Sequence, residues 1–186
     1  NSVGGYHPAK LALYNDLIQN QIAKNNMQVL NMLNTKYFIV ANPQNQQPVA
    51  IPNPEALGPV WFVKAVKMVN NADEEMKAMD NFSPKDTAIS DKREQSRITL
   101  PTQLDSTASI KLIQNLNDQI LYESKSTSNQ FAVFSEIYYP HGWKALIDGK
   151  EFPIARVNYA LRGLSIPAGN HTIEFRFEPA SKATGD

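Results

Sequence analysis

The chain has no cysteine. Disulfides, zinc–thiolate sites and a cysteine nucleophile are therefore excluded, while the compartment stays open because many exported domains also lack cysteine. No run approaches the roughly 18 consecutive apolar residues that a membrane helix requires. Charge is sparse and balanced: 18 Lys plus Arg against 18 Asp plus Glu give a net charge of zero. Such a surface sets up no long-range field, and no basic run interleaves with aromatics, so nucleic acid is not an expected partner. Phosphate cradles are missing as well. Gly4-Gly5 precedes a helical stretch, but neither GxxxxGK[ST] nor GxGxxG is present, and no motif points to any cofactor. The first residues, NSVGGYHPAK, include no initiating Met and no apolar signal-peptide segment. The chain is expected to be a piece of something longer.

What is present divides by hydrophobic period. The 186 residues are 42% hydrophobic, enough for one large or two small folded domains. Leu11, Tyr14, Leu17, Ile18 and Ile22 fall on one helical face, with Pro8 suited to the first turn. A second short helix is expected over Asn26–Leu33, with Met27, Leu30 and Leu33 on its apolar side. KYFIVA (Lys36–Ala41) then reads as a strand, and the proline-rich stretch Asn42–Pro59 as a loop or edge hairpin. Val60–Val69 reads as one long buried strand. NADEEMKAMDNF is a short helix with acids in its first turn, where they complement the helix dipole, and DTAIS (Asp86–Ser90) is a further strand.

From about Ser96 the helical period is lost. RITLP, SIKLIQ, QILYESKS, QFAVFSEIYY, WKALID, EFPIARV, ALRGLSIP and HTIEFRFEP are candidate strands, closely spaced as in an antiparallel sandwich. Asp148-Gly149 fits a type I′ hairpin turn, and Pro167–Asn170 a second turn. Ile173, Phe175 and Phe177 alternate with Glu174, Arg176 and Glu178, the pattern of a strand with one dry face. The fold class is therefore α+β: a small N-terminal α+β domain (1–92), then a jelly-roll or Ig-like antiparallel β-sandwich (93–186). The boundary falls in the polar stretch Ser90–Ser96.

Residues that could carry chemistry are few. His7, His141 and His171 are far apart, in no HxH or HxxxH pair, so no metal site is expected. No GxSxG elbow is present. Glu74 and Glu75 are adjacent on a helix, about 100° apart, and read as a solvated helix start rather than an acid–base pair. Asp148 is accounted for by its turn. No catalytic residue is assigned. The remaining signal is aromatic: Trp61, Tyr138, Tyr139, Trp143 and Tyr159 either fill a sandwich core or stack on a ligand.

Four segments together resemble the YfhO-type bacterial membrane proteins: GGYHPAKLALYNDLI (Gly4–Ile18), VLNMLNTKYFIV (Val29–Val40), GPVWFVKAVKMVNNADEEMKAM (Gly58–Met79), and the long stretch Phe134–Pro179 containing YYPHGWKALIDG and IPAGNHTIEFRFEP. His141 departs from the family, which commonly has Lys, Glu or Asn before the Gly-Trp. The resemblance implies a multi-pass membrane protein similar to glycosyltransferases that use lipid-linked sugar donors. This chain would be its extracytoplasmic region, tethered to the cytoplasmic membrane, with the catalytic carboxylates elsewhere. The expected partners are the membrane-embedded remainder of the same polypeptide and a glycan or envelope-polymer acceptor. An expected ligand surface comprises Tyr138, Tyr139, His141, Trp143 and Tyr159, with hydrogen bonds from Asn158 and Arg162. The alternative is a scaffold or protein-interaction module with no glycan role.

Overall fold

Helical period gives way to extended structure in the order the sequence suggests. The computed structural model describes residues 12–101, 103 and 105–179. Pro8, Leu11 and the Gly4-Gly5 stretch lie outside the described residues. Helix α1 (Ala12–Asn20) buries Leu17. Helix α2 (Met27–Met32) is started by Asn26, whose side chain accepts from the amides of Gln28 and Val29. Met27, expected on the apolar side of α2, is exposed, while Val29, Leu30 and Met32 are buried. With less than two turns, this helix is oriented by what it touches rather than by its period.

The proline-rich stretch is a hairpin: β1 (Tyr37–Ala41) pairs antiparallel with β2 (Pro48–Pro52). The expected long strand Val60–Val69 is in fact two, β3 (Val60–Val63) and β4 (Ala65–Val69), in different sheets. The break is at Lys64. Its amide and that of Ala65 donate to the Asp86 carbonyl, and its ammonium pairs with the Asp86 carboxylate at 2.7 Å. Helix α3 (Ala72–Ala78) then crosses over to β5 (Thr87–Asp91), which lies parallel to β4.

The rest is β: β6 (Ser109–Asn115), β7 (Gln119–Ser126), β8 (Gln130–Ile137), β9 (Trp143–Ile147), β10 (Lys150–Phe152), β11 (Ala155–Val157), β12 (Leu161–Ile166) and β13 (Gly169–Phe177). RITLP is not a strand. Arg97 closes a 3-10 stretch, and the Thr99 backbone bonds through both its amide and its carbonyl to the Ser165 hydroxyl instead of joining a ladder. EFPIARV is broken at Pro153, so that β10 and β11 enter opposite sheets. The Asp148-Gly149 turn forms as expected, with φ of 50° and 80°.

One sheet has the order β10-β9-β13-β7-β6 and the other β11-β12-β8-β3. Between them lie Ile120, Ala132, Ile147, Leu164 and Ile173, with Tyr122, Phe134 and Phe175 meeting edge to face at 4.8–6.1 Å between ring centroids. The four-stranded sheet is buried on both faces. Phe131 and Val133 of β8 point away from the sandwich and pack, with Trp61, Val157 and Leu161, on Leu17, Val29, Met32, Met79 and Ile89. That explains the continuous apolar run FAVF (Phe131–Phe134), buried at every position. The architecture is thus three layers, with an α+β layer behind the inner sheet of a β-sandwich. Strand β3, which precedes position 92, pairs with β8 beyond it.

Gly163 of β12 sits where a Cβ would lie 2.6 Å from Cζ of the fully buried Phe131 and 3.0 Å from Val157. Gly163→Ala is expected to destabilise the protein by about 1–3 kcal/mol through overpacking. A urea midpoint unchanged from the parent would contradict that packing.

Candidate functional site

The β8–β9 loop carries the largest share of the aromatic set. Tyr138 donates its amide to the Ala160 carbonyl at 2.7 Å, and its hydroxyl lies 3.4 Å from Arg97 Nη1. Tyr139 is 38% exposed and meets the exposed His141 edge to face at 5.5 Å. Trp143, half-buried, tilts against Phe177 at 5.2 Å, and the Arg162 guanidinium lies 4.3 Å from the centre of its ring. Arg162 is itself buried; Nε donates to the Ile137 carbonyl at 3.2 Å, and the guanidinium also faces Phe175. Burial lowers its pKa, opposed by Glu136, whose own pKa burial raises. The amide of Glu178 closes the loop by donating to the Gly142 carbonyl at 2.6 Å. Trp143 and Arg162 form the base of this loop, and Tyr139 and His141 its exposed crest.

Asn158 and Tyr159 are placed elsewhere, in the turn between β11 and β12, and both are buried. Their φ values are 48° and 68°, and Ala160 N donates to Asn158 O across Tyr159. Asn158 exchanges hydrogen bonds with β5: its Oδ1 accepts from Ile89 N at 2.8 Å, and its amide donates to Ile89 O at 2.7 Å. The Tyr159 amide donates to Glu75 Oε1 at 2.9 Å, and its hydroxyl reaches Asp16 at 3.1 Å. Trp61 is a core residue; its indole N–H donates to Pro84 O at 2.8 Å.

Glu75 corrects the reading of the acidic pair. Glu74 is at the solvent, bonded to Asn70, but Glu75 is wholly buried and pairs with Arg156 Nη2 at 2.9 Å. Burial raises its pKa, offset in part by Arg156 and the Tyr159 amide. Arg156 Nη1 in turn donates to Tyr159 O at 2.6 Å. The spacing itself signals this burial: Ala72, Glu75 and Met79 share one helical face, and Met79 is fully buried.

A shallow groove of about 510 Å³ lies over the outer face of the five-stranded sheet, lined by Lys111, Glu123, Lys125, Asp148 and His171 among others. His171 Nδ1 is 2.6 Å from Asp148 Oδ2, and Nε2 is 3.1 Å from the Ala168 carbonyl. Both partners are acceptors, an arrangement that favours the doubly protonated ring. Asp148, first, and Ala168 raise its pKa above the usual histidine value. With both nitrogens occupied, His171 is not arranged as a general base. Asp148 also accepts from Thr172 N at 2.9 Å, in keeping with a structural role in the turn. Among the described residues, no group of three or more His, Asp and Glu side chains is placed to hold a metal ion.

The fold is that of an α+β protein built on an antiparallel β-sandwich. Residues 91–185, half of the chain, match the family model described as bacterial membrane protein YfhO. The chain belongs to the YfhO family of bacterial membrane proteins. The match contains the whole stretch Phe134–Pro179, and the three more N-terminal resembling segments lie outside it. No curated protein and no solved structure matches the chain. No helix among the described residues is long and apolar enough to cross a membrane.

Two predictions follow from the buried and exposed ion pairs. Arg156→Met strands the Glu75 carboxylate, and chemical denaturation should show a loss of about 3–5 kcal/mol, largely restored by adding Glu75→Gln. An equal loss in the double variant would contradict that coupling. For His171, a raised folded-state pKa means that the pair stabilises fully below the ordinary value of 6.5 and is lost as pH rises through the folded-state pKa. Proton NMR should find His171 titrating above 6.5 and returning toward it in Asp148→Asn.

Proposed function

We propose that this region is a non-catalytic, extracytoplasmic domain of a membrane protein resembling the lipid-linked-sugar glycosyltransferases. In this reading it holds a glycan or envelope-polymer acceptor against the membrane-embedded remainder of the polypeptide. The observation that carries the reading is the β8–β9 loop, which exposes the paired Tyr139 and His141 and ends at Trp143, packed on Arg162. An aromatic face that is half-exposed and already fixed by packing suits the C–H faces of a sugar ring, and the His141 imidazole offers hydrogen bonds to hydroxyls. Of the other expected ligand residues, Tyr138 borders the loop, while Asn158 and Tyr159 belong to the buried turn.

A scaffold role is the second reading. It is favoured by the way Trp143 already spends ring surface on Arg162 and Phe177, as a packing residue does. Titrating envelope oligosaccharides into the chain separates the two. Amide and ring resonances of Tyr139, His141 and Trp143 should shift at millimolar ligand, and Tyr139→Ala should remove the shifts. Because Tyr139 is exposed, that variant should keep its stability within about 0.5 kcal/mol. Unmoved resonances at these residues would sink the glycan reading and leave the scaffold.

A further inference from the structure

The β1–β2 hairpin departs from the pattern of a strand with one wet face. Its register pairs Tyr37 with Pro52, Ile39 with Ala50 and Ala41 with Pro48 on one face, and Phe38 with Ile51 and Val40 with Val49 on the other. Both faces are apolar, and both are largely exposed: Ile39 is 71% and Tyr37 62% accessible, with Val40, Val49 and Ile51 also exposed. By contrast, β13 alternates apolar and charged residues, as a strand with one wet face should. From Tyr37 to Pro52 there is no Asp, Glu, Lys or Arg.

We propose that this hairpin is a lipid-contacting ribbon that seats in the interfacial layer of a bilayer. Three observations favour lipid over a protein partner. A protein surface would cover one face of the ribbon, whereas a surrounding apolar medium covers both. Strand addition by a second copy is opposed along β2, because Pro48 and Pro52 provide no N–H donor. The tip is also prepared to leave bulk water. Asn42 N donates to Gln47 O, Gln46 N to Asn42 O, Gln44 N to Asn42 Oδ1 and Gln47 N to Asn45 Oδ1, so most of its backbone donors are satisfied internally. The chain's membership of a membrane-protein family supplies the lipid surface.

The ribbon is held rigidly at its base. Asn53 donates its amide to Lys36 O, and its side chain donates to Asn31 Oδ1 at 2.9 Å and Thr35 O at 2.8 Å. Five residues per strand at about 3.4 Å each reach about 17 Å, short of the roughly 30 Å hydrocarbon core. The hairpin therefore dips into the interface and does not span it. Lacking charge, it should bind neutral and anionic bilayers alike, with little dependence on salt.

Because the chain is free of cysteine, Ile39→Cys can carry a single environment-sensitive fluorophore, with Glu151→Cys on β10 as the control site. Adding phosphatidylcholine vesicles should shift the emission at position 39 to the blue and intensify it severalfold, while position 151 stays unchanged. Unlabelled Ile39→Asn/Ile51→Asn, whose far-ultraviolet dichroism should match the parent, should float with vesicles about tenfold less. No spectral change at position 39 at saturating lipid would overturn the proposal, as would an equal change at both positions. It would also be overturned by a lipid-free, concentration-dependent change at position 39 accompanied by dimer in sedimentation, which would assign the ribbon to a second copy.

Discussion

The carboxylate of Glu75 is the point on which the three-layer arrangement turns. It sits on α3, fully out of solvent, and accepts the amide of Tyr159 from the far end of the β11–β12 hairpin. Removing a carboxylate from water costs several kcal/mol, and an ion pair alone seldom recovers that. Here Oε1 takes the Tyr159 amide while Oε2 faces a guanidinium. Arg156 lies 2.9 Å away, and its other terminal nitrogen donates to the carbonyl of the same Tyr159. One side chain of the crossover helix thus holds both the tip and the stem of a sandwich hairpin. An apolar contact of equal volume could hold the layers as strongly, so the pair is not by itself a source of net stability, whereas removing one partner alone is costly.

The same turn explains why two consecutive non-glycine residues accept positive φ. Such conformations cost on the order of 1–3 kcal/mol each when bulky residues adopt them. Asn tolerates the left-handed region, and its side chain and backbone together complete Ile89 on β5. Tyr159 is carried along, with its ring in the core and its hydroxyl bonded to Asp16 of α1. The strain is met by contacts from α1, α3 and β5, all in the N-terminal layer. Strand β3 adds to the coupling by forming the edge of the inner sheet. The sandwich and the layer behind it therefore share hydrogen bonds as well as apolar surface.

What could be read from sequence was whatever local patterning dictates. The alternation of β13, the Asp148-Gly149 turn and the short acidic helix were each legible because a few neighbouring residues decide them. The errors have a common origin in long-range contacts. Val60–Val69 is apolar except at Lys64 and Lys67, and nothing local marks Lys64 as a break; Asp86, distant in sequence, makes it one. Glu75 looked solvated because its partners are over 80 positions away in the chain. Asn158 and Tyr159 lie near the loop aromatics in sequence, yet they occupy the buried β11–β12 turn. The exposure of both faces of β1 and β2 was unreadable for a related reason. KYFIVA has the composition of a buried strand, and only its missing neighbours distinguish it.

Under the proposed function and the proposed lipid contact, two regions meet one physical requirement. A ligand site gains affinity when its side chains are held before binding, because each immobilised flexible side chain otherwise costs about 0.5–1.5 kcal/mol. The β8–β9 loop meets that condition through buried groups. Arg162 fixes Trp143 from beneath, Phe177 supports its flank, and the Gly142 carbonyl ties the loop to the end of β13. The β1–β2 ribbon meets it through Asn53 and Asn31, which lock the hairpin base to α2. In both places a buried polar contact holds exposed apolar surface in position, which hydrophobic burial alone could not do, because apolar surface left to itself folds inward.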